Sequence, residues 1–135
     1  MNKIKAIVEF ADKNFAVYIP GIDGVVGIAD TIEETKLSLE QSIQYCIEDC
    51  NECGIELPEP IRGEYEIEYQ FDLSTFLQVY GKIISKSGLE RLTGINQKQL
   101  WHYAAGKSKP REQTKKKIEE SIHKFAAELA EITFA

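Results

Sequence analysis

The sequence has no long hydrophobic run, only three cysteines and two histidines, and no internal repeat or low-complexity segment. No apolar stretch approaches the roughly 18 residues that a membrane-spanning helix needs, so the sequence does not predict a membrane protein. An odd number of cysteines argues against a disulfide framework. Reduced thiols are typical of the cytoplasm, and the sequence therefore predicts a cytoplasmic location.

The three cysteines, Cys46, Cys50 and Cys53, fall on one face of a predicted helix together with apolar residues. Residues on a single helical face cannot surround a tetrahedral metal ion, and a fourth ligand is missing. Cysteine packs readily as a small hydrophobe. We therefore expect these side chains to belong to the hydrophobic core and not to a metal site.

Other candidate catalytic groups are scattered along the chain. His102 and His123 lie on separate predicted helices with no nucleophile pattern beside them. Asp12, Asp23 and Asp30 are of the residue type that binds catalytic metals, but they fall in predicted turns and form no ordered set at strand positions. The sequence predicts no catalytic residue, no cofactor and no bound metal, so we do not expect an enzyme.

The charge is divided unequally between the two halves of the chain. Residues 1–73 contain 5 Lys/Arg and 16 Asp/Glu, a net charge of −11, whereas residues 74–135 contain 11 Lys/Arg and 6 Asp/Glu, a net charge of +5. The acidic half would attract a basic protein and repel nucleic acid. The basic half has the sign of charge that nucleic-acid binding requires. We therefore expect the two halves to bind different partners.

Sequence patterns predict a mixed fold for the first half. Four segments are predicted strands: residues 3–10, which alternate imperfectly between apolar and polar residues, residues 15–19, the short apolar segment 25–28, and residues 65–71, which alternate clearly. A capping box at Thr31 begins a long amphipathic helix, and Gly54 ends it. We predict the order β-β-β-α-β, a small sheet with one packed helix, over residues 1–72.

The last predicted strand of this half carries an acidic face. Glu64, Glu66 and Glu68 alternate with apolar side chains, so the three carboxylates point to one side of the sheet. Such a face is either simply solvated or available to a basic partner, and the sequence alone leaves both interpretations open.

The second half shows only helical patterns. Four helices are predicted: residues 74–86, 87–93, 97–105 and a long helix from about residue 111. Ser87 with Glu90, and Asn96 with Gln99, have the spacing of N-terminal caps. We predict an α+β chain in which residues 74–135 form an all-α helix-turn-helix domain.

Two short helices joined by a tight, glycine-containing turn are the pattern of a helix-turn-helix. The second helix has outward polar residues suited to bases, because Gln97 can bond bidentately to adenine and Lys98 can bond to guanine. The following loop carries Lys107 and Lys109 where DNA phosphates would pass. A plain helical hairpin with a solvated face is the alternative, but the caps, the turn and the basic loop together favour DNA binding.

The segment Leu89–Pro110 resembles a known family. Its pattern, Leu-x-x-Leu-Thr-Gly-Ile-Asn-Gln-Lys-Gln-Leu-Trp-His-Tyr-x-x-Gly-Lys-Ser-Lys-Pro, is similar to the Cro-repressor-type (XRE) helix-turn-helix. The resemblance implies a dimer that binds a palindromic operator with its second helix in the major groove. It places Asn96, Gln97, Lys98 and His102 against the bases and Gly106, Lys107, Ser108 and Lys109 against the DNA backbone. Trp101 replaces the polar residue usual in that family, and we expect it to reach either a thymine methyl group or a neighbouring helix.

The first half resembles a second family, the HicB antitoxins, over about residues 4–60. The residues that carry this resemblance are Phe15–Gly24 (Phe-Ala-Val-Tyr-Ile-Pro-Gly-Ile-Asp-Gly), Gly27 and Asp30–Glu34 (Asp-Thr-Ile-Glu-Glu). The resemblance implies a partial ribonuclease-H-like domain that binds and blocks HicA, a small basic toxin that cleaves mRNA. It also implies that the chain represses its own operon.

Together, the two resemblances predict an antitoxin and autorepressor of a type II toxin–antitoxin system. Residues 1–72 would bind the toxin, and residues 74–135 would bind double-stranded operator DNA. Inhibition would occur either by covering the active site of the toxin or by displacing its RNA with acidic charge. Two other functions stay open from the residues alone: a one-component regulator with a ligand-sensing first domain, and a ribonuclease-H-like nuclease.

The last predicted helix carries an apolar stripe that is longer than its own domain can cover. The stripe consists of Ile118, Ile122, Phe125, Leu129 and Ile132. We expect the Ile118 and Ile122 end to cover the helix-turn-helix core and the Phe125 to Ile132 end to pair with a second chain, because one motif of this size contacts too few bases for tight binding. The alternative is that the stripe folds back onto the sheet of the first domain.

Overall fold

The computed structural model describes the backbone of residues 1–135 and every side chain except that of Ala11. The chain forms two compact units, Met1–Asp72 and Leu73–Ala135. The first contains a four-stranded mixed sheet and a long helix, and the second contains only helices. This confirms the α+β class predicted from the sequence. Within the described residues, no helix combines the length and the hydrophobicity needed to cross a membrane.

The sheet of the first unit is built around its longest strand. In chain order the elements are β1 (Asn2–Ala11), β2 (Asn14–Tyr18), β3 (Val26–Ala29), α1 (Ile32–Cys53), a 3-10 helix (Glu59–Ile61) and β4 (Tyr65–Phe71). The strand order is β3-β2-β1-β4, with β1 and β4 parallel and the other neighbours antiparallel. A parallel pair needs a long crossover, and α1 with the following 3-10 helix provides it.

Alternating burial places one face of the sheet in the core. The buried side chains of the two central strands are Ile4, Ala6, Val8, Phe15 and Val17. Leu39 and Ile43 of α1 are fully buried in the same unit. The tight turn between β1 and β2 holds Asp12 at φ 60°, a left-handed conformation that aspartate tolerates better than most residues. The period-two pattern of the sequence therefore reflects one covered face and one exposed face.

Gly27 allows β3 to lie directly against α1. A Cβ atom at this position would be 2.5 Å from the Thr35 carbonyl oxygen and 2.5 Å from the Leu39 backbone nitrogen. The edge of β3 is tied to the same helix, because the Ile28 N–H donates to the Ser38 hydroxyl at 3.2 Å. Only glycine fits between this strand and this helix without moving one of them.

Both predicted ends of α1 are confirmed. The Thr31 hydroxyl accepts a hydrogen bond from the Glu34 N–H at 3.1 Å. At the other end, Gly54 adopts φ 66°, and its N–H donates to the Cys50 carbonyl. Such caps satisfy backbone groups that a helix leaves unpaired at its ends.

The second unit consists of four helices packed around a small core. They are α2 (Leu73–Tyr80), α3 (Lys86–Thr93), α4 (Gln97–Ala104) and α5 (Glu112–Ala130). The buried side chains that these helices contribute are Leu77, Leu89, Leu100, Tyr103 and Ile118. Each helix thus supplies at least one buried apolar residue, which is how three short helices and one long helix form a packed unit without strands.

The helix predicted over residues 74–86 is wrong at its C-terminal end. It ends at Tyr80, and the chain turns before the Ser85 hydroxyl accepts a hydrogen bond from the Gly88 N–H at 3.0 Å, which begins α3. The cap predicted at Ser87 is therefore also wrong. Gly81 favours the break, because its backbone lies against the Leu77 carbonyl, where a Cβ atom would clash.

The prediction that all three cysteines belong to the core is wrong for the last of them. Cys46 and Cys50 are half-buried, whereas Cys53 is exposed at the end of α1. Burial, followed by the neighbouring Cys50, raises the pKa of the Cys46 thiol. A raised pKa keeps this group a neutral thiol at physiological pH, and metal binding or nucleophilic attack would need the thiolate.

Candidate nucleic-acid interface

The core of the second unit fixes α4 through its inner face. Leu100 and Tyr103 are buried on that face. At the C-terminal end, the Ala104 carbonyl accepts hydrogen bonds from the Ser74 hydroxyl at 2.7 Å and from the Gln78 side-chain amide at 3.0 Å. These bonds satisfy a carbonyl that the helix itself leaves unpaired, and they attach α4 to α2. These contacts hold α4 in place within the second unit, and its outer face is exposed.

Side chains satisfy two backbone N–H groups at the start of α4. The Asn96 side-chain oxygen accepts from the Gln99 N–H at 2.8 Å, which confirms the predicted cap. The Glu90 carboxylate accepts from the Gln97 N–H at 3.1 Å and so joins α3 to α4. The turn between the two helices holds Gly94 at φ 76°. With the backbone fixed in this way, the side chains of Asn96, Gln97 and Lys98 are exposed at one end of α4.

The basic loop after α4 is attached to the same helix. Gly106 adopts φ 74°, which turns the chain back, and the Lys107 N–H donates to the His102 carbonyl at 2.9 Å. The Gln99 side-chain amide donates to the Ser108 hydroxyl at 3.1 Å. Ser108 is therefore half-buried and already has a hydrogen-bond partner, while Lys107 and Lys109 are exposed.

Trp101 contacts the basic loop in a way that the sequence did not predict. Its side chain is 46% exposed, and the Lys107 ammonium lies 4.4 Å from the centre of its ring. An ammonium at this distance from an indole face makes a cation–π contact. The ring centre of His102, which is half-buried, lies 5.8 Å from that of Trp101. No helical spacing links Trp101 to Lys107, because the contact depends on the turn at Gly106.

The predicted DNA-contacting residues all fall on one short segment of the second unit, from Asn96 to Lys109. Those with exposed side chains are Asn96, Gln97, Lys98, Lys107 and Lys109, and those that are half-buried are His102 and Ser108. Residues 86–111 contain six Lys/Arg and a single Asp/Glu, Glu90. The segment therefore combines exposed hydrogen-bonding groups with a strong excess of positive charge.

The acidic row predicted on β4 has basic neighbours within the sheet. In the parallel register of β1 and β4, Lys3 lies opposite Glu66 and Lys5 lies opposite Glu68. Glu64 precedes β4 and lies outside the strand. Opposite charges at facing positions stabilise a sheet modestly. The glutamates on β4 are thus partly compensated on the side of β1, and their other side is the edge of the sheet.

No protein-family model, curated protein or solved structure matches this chain. Any assignment of function therefore depends on the sequence patterns and on the geometry of the two units. Among the described residues, no group of three or more His, Cys, Asp or Glu side chains is placed to hold a metal ion.

Proposed function

We propose that this chain is the antitoxin of a type II toxin–antitoxin system and the repressor of its own operon. In this proposal Leu73–Ala135 binds operator DNA through a helix-turn-helix formed by α3 and α4. Met1–Asp72 binds and inhibits a basic, HicA-like mRNA interferase. The observation that carries the proposal is the fixed α4, with polar side chains exposed at its start and a cationic loop attached beside it.

The geometry of α3 and α4 supports the DNA-binding part of the proposal. A three-residue connection, Gly94–Asn96, separates two eight-residue helices. In a helix-turn-helix the second helix enters the major groove with its N-terminal residues towards the bases. Gln97 and Lys98 occupy that end of α4, and Lys107 and Lys109 supply charge for phosphates from the adjoining loop. The proposed base-reading and phosphate-binding groups therefore belong to one surface segment.

Gln97→Ala is expected to weaken binding to operator DNA by about 1–3 kcal/mol and to change binding to random DNA little, because a bidentate contact to a base is specific to sequence. Lys109→Ala should weaken binding to both DNAs alike and lower the salt dependence by about one unit of slope. Fluorescence anisotropy over a series of salt concentrations measures both effects. Equal losses on the two DNAs for Gln97→Ala would contradict the base-reading role.

The charge of the first unit supports the toxin-binding part of the proposal. Residues 1–72 carry 5 Lys/Arg and 16 Asp/Glu, a net charge of −11. A field of this sign repels RNA and DNA, and it speeds the encounter with a basic protein. A toxin that binds RNA must itself be basic where the RNA lies. The acidic unit would therefore approach the toxin at the surface that RNA would otherwise occupy.

The exposed end of α5 supports the dimer in the proposal. Ile118 is buried, and Leu129 is 50% exposed. Ile132, which was predicted to lie on the helix, is 55% exposed and lies just beyond the last residue of α5, Ala130. We propose that a second copy of the chain covers the Leu129 end and that the pair binds two half-sites about one helical turn apart.

The function is tested by separating its two parts in the full-length chain. The triple variant Lys98→Ala, Lys107→Ala, Lys109→Ala is expected to lose binding to the chain's own promoter DNA, because three cationic contacts disappear. It should still bind the basic protein encoded by the adjacent gene and relieve the growth arrest that this protein causes.

Other outcomes of this experiment, or of a separate RNA-cleavage assay, would contradict the antitoxin proposal. If the adjacent gene encodes no protein that binds the chain while promoter binding persists, a ligand-sensing regulator is the better assignment. Metal-dependent RNA cleavage by the purified chain would instead identify a nuclease.

A further inference from the structure

The strand β4 lies at one end of the sheet order, so one of its two sides has no neighbouring strand among the described residues. The Asn2 N–H donates to the Glu64 carbonyl, and the Asp72 N–H donates to the Val8 carbonyl, each at 3.1 Å. In a parallel pair, alternate residues direct both backbone groups to the neighbouring strand. These two hydrogen bonds and the register of the strands therefore direct the backbone groups of Glu66, Glu68 and Gln70 towards β1. Those of Tyr65, Ile67 and Tyr69 point to the open edge.

The same three residues line a groove on the inner side of the sheet. Their side chains are half-buried and form one wall, while Glu40, Tyr45 and Glu48 of α1 form part of the other. The groove has a volume of about 770 Å³. A chain that paired with the open edge would therefore direct every second side chain towards this groove.

Tyr69 shows what kind of group this wall accepts. The Lys36 ammonium lies 4.7 Å from the centre of the Tyr69 ring. The tyrosine therefore already makes a cation–π contact within the chain. The Tyr69 hydroxyl is buried and has no hydrogen-bond partner among the described residues. Burial, followed by the nearby Glu40 carboxylate, raises the pKa of this hydroxyl, which stays protonated at neutral pH. The wall thus combines tyrosine rings, one of which already contacts a cation, with the acidic side chains of the neighbouring helix.

Negative charge borders the open edge on both faces of the sheet. Glu40 and Glu48 lie on the groove side, and Glu66 and Glu68 are exposed on the opposite side. The lysines that face Glu66 and Glu68 belong to β1, on the side away from the open edge. If a second copy of β4 paired with this edge, its Glu66 and Glu68 would lie near Glu66 and Glu68 of the first copy. Like charges at facing positions destabilise a strand pair. The occupant that complements this edge is a basic chain.

We propose that the open edge of β4 and the adjoining groove, together the β4 edge site, dock an extended basic segment of a partner protein by strand addition. The backbone of the partner pairs with Tyr65, Ile67 and Tyr69, which supplies affinity independent of sequence. Its lysine or arginine side chains meet Glu40 and Glu48 on one face and Glu66 and Glu68 on the other, which supplies selectivity. Identifying the partner as the toxin rests on the proposed function, whereas the mode of docking does not.

Amide hydrogen exchange on the full-length chain, measured by NMR, tests the pairing directly. The probes are an extended peptide of alternating lysine and valine and a matched peptide of alternating glutamate and valine. In the free chain, the amides of Glu66 and Glu68 should exchange slowly and those of Ile67 and Tyr69 quickly. The lysine peptide should slow Ile67 and Tyr69 by about tenfold or more, because each new hydrogen bond protects its amide. Unchanged exchange at these two amides, or equal slowing by the glutamate peptide, would overturn the proposal.

Substitutions in the full-length chain separate the backbone contribution from the side-chain contribution. Ile67→Pro removes an edge N–H that does not pair with β1, so the sheet should persist. It should weaken binding of the lysine peptide about tenfold, whereas Ile67→Ala, which keeps the N–H, should weaken it much less. NMR spectra establish that both variants are folded. Equal effects of the two substitutions would contradict strand addition.

A charge variant supplies the second control. Glu40→Gln with Glu48→Gln should weaken binding of the lysine peptide severalfold more than Glu33→Gln with Glu52→Gln, which removes the same charge from exposed positions of α1 outside the groove. Equal losses of peptide affinity in the two double variants would show that only net charge attracts the peptide, and they would contradict the proposed docking site.

Binding measurements with the protein encoded by the adjacent gene test the docking site and the proposed function separately. If that protein binds and Ile67→Pro has no effect on its binding, the docking site is wrong and the antitoxin function stands. If the lysine peptide docks and that protein does not bind, the docking site stands and the antitoxin function is wrong.

Discussion

Replacing both Leu129 and Ile132 with aspartate is expected to give a folded monomer that binds operator DNA at least about 100-fold more weakly. Both side chains are at least half exposed in the single chain, so neither substitution disturbs the core of its own unit. In the proposed dimer the same positions are covered, and covering two unpaired carboxylates costs several kcal/mol. A dimer that binds two half-sites gains roughly 10²–10⁴ in avidity over one unit, and the monomer loses this gain.

Light scattering and anisotropy with promoter DNA measure the two effects together. The matched control is Ala127→Asp with Ala130→Asp, which adds the same charge near the same end of α5 at exposed positions off the apolar stripe. The control should remain a dimer and keep most of its affinity, apart from the added repulsion of DNA. If the Leu129 and Ile132 variant stays dimeric with unchanged affinity, the dimer interface lies elsewhere or does not exist.

The elements that the sequence predicted well are those whose signals are local. The alternation of Tyr65 to Phe71 gives β4 with the predicted bounds, because a strand with one covered face needs a period of two. Thr31 and Asn96 both accept the hydrogen bond expected of a cap, since each needs only a backbone N–H three residues further along. Such signals do not depend on how distant segments pack.

The features that the sequence did not predict depend on contacts between distant segments or on competition between similar ones. Lys3 lies opposite Glu66 only because β4 returns beside β1 after a long crossover, and no local pattern specifies that neighbour. Ser85 and Ser87 are both plausible caps by composition, and the break after Tyr80 decides between them.

The same reasoning applies to the candidate sites. The segment from Asn96 to Lys109 can be proposed from the sequence alone, because its residues are consecutive on a helix and its loop. The contact between Trp101 and Lys107 required the turn at Gly106. The β4 edge site required the strand order of the whole sheet, together with the placement of α1 beside it. A site assembled from two separate elements is therefore the harder kind to find from sequence.

Gly27→Ala is expected to lower the free energy of unfolding of the first unit by about 2–3 kcal/mol, a large loss for one methyl group. The added Cβ atom would be 2.5 Å from two backbone atoms of α1, the Thr35 oxygen and the Leu39 nitrogen. Backbone atoms cannot rotate away as a flexible side chain can, so β3 must move off the helix. That movement would also stretch the hydrogen bond from the Ile28 N–H to the Ser38 hydroxyl.

Gly24→Ala is the control that separates lack of space from loss of glycine flexibility. A Cβ atom at Gly24 has nothing within 4 Å, but the residue adopts φ +80°, so alanine there should cost only about 1–2 kcal/mol of backbone strain. Because Trp101 lies in the second unit, urea unfolding of the first unit is best followed by NMR signals from β2 and β3. Equal costs at the two glycines would show that β3 does not lie so close to α1. A larger cost at Gly27 would show that packing against α1 requires this glycine, independent of any contact with a partner.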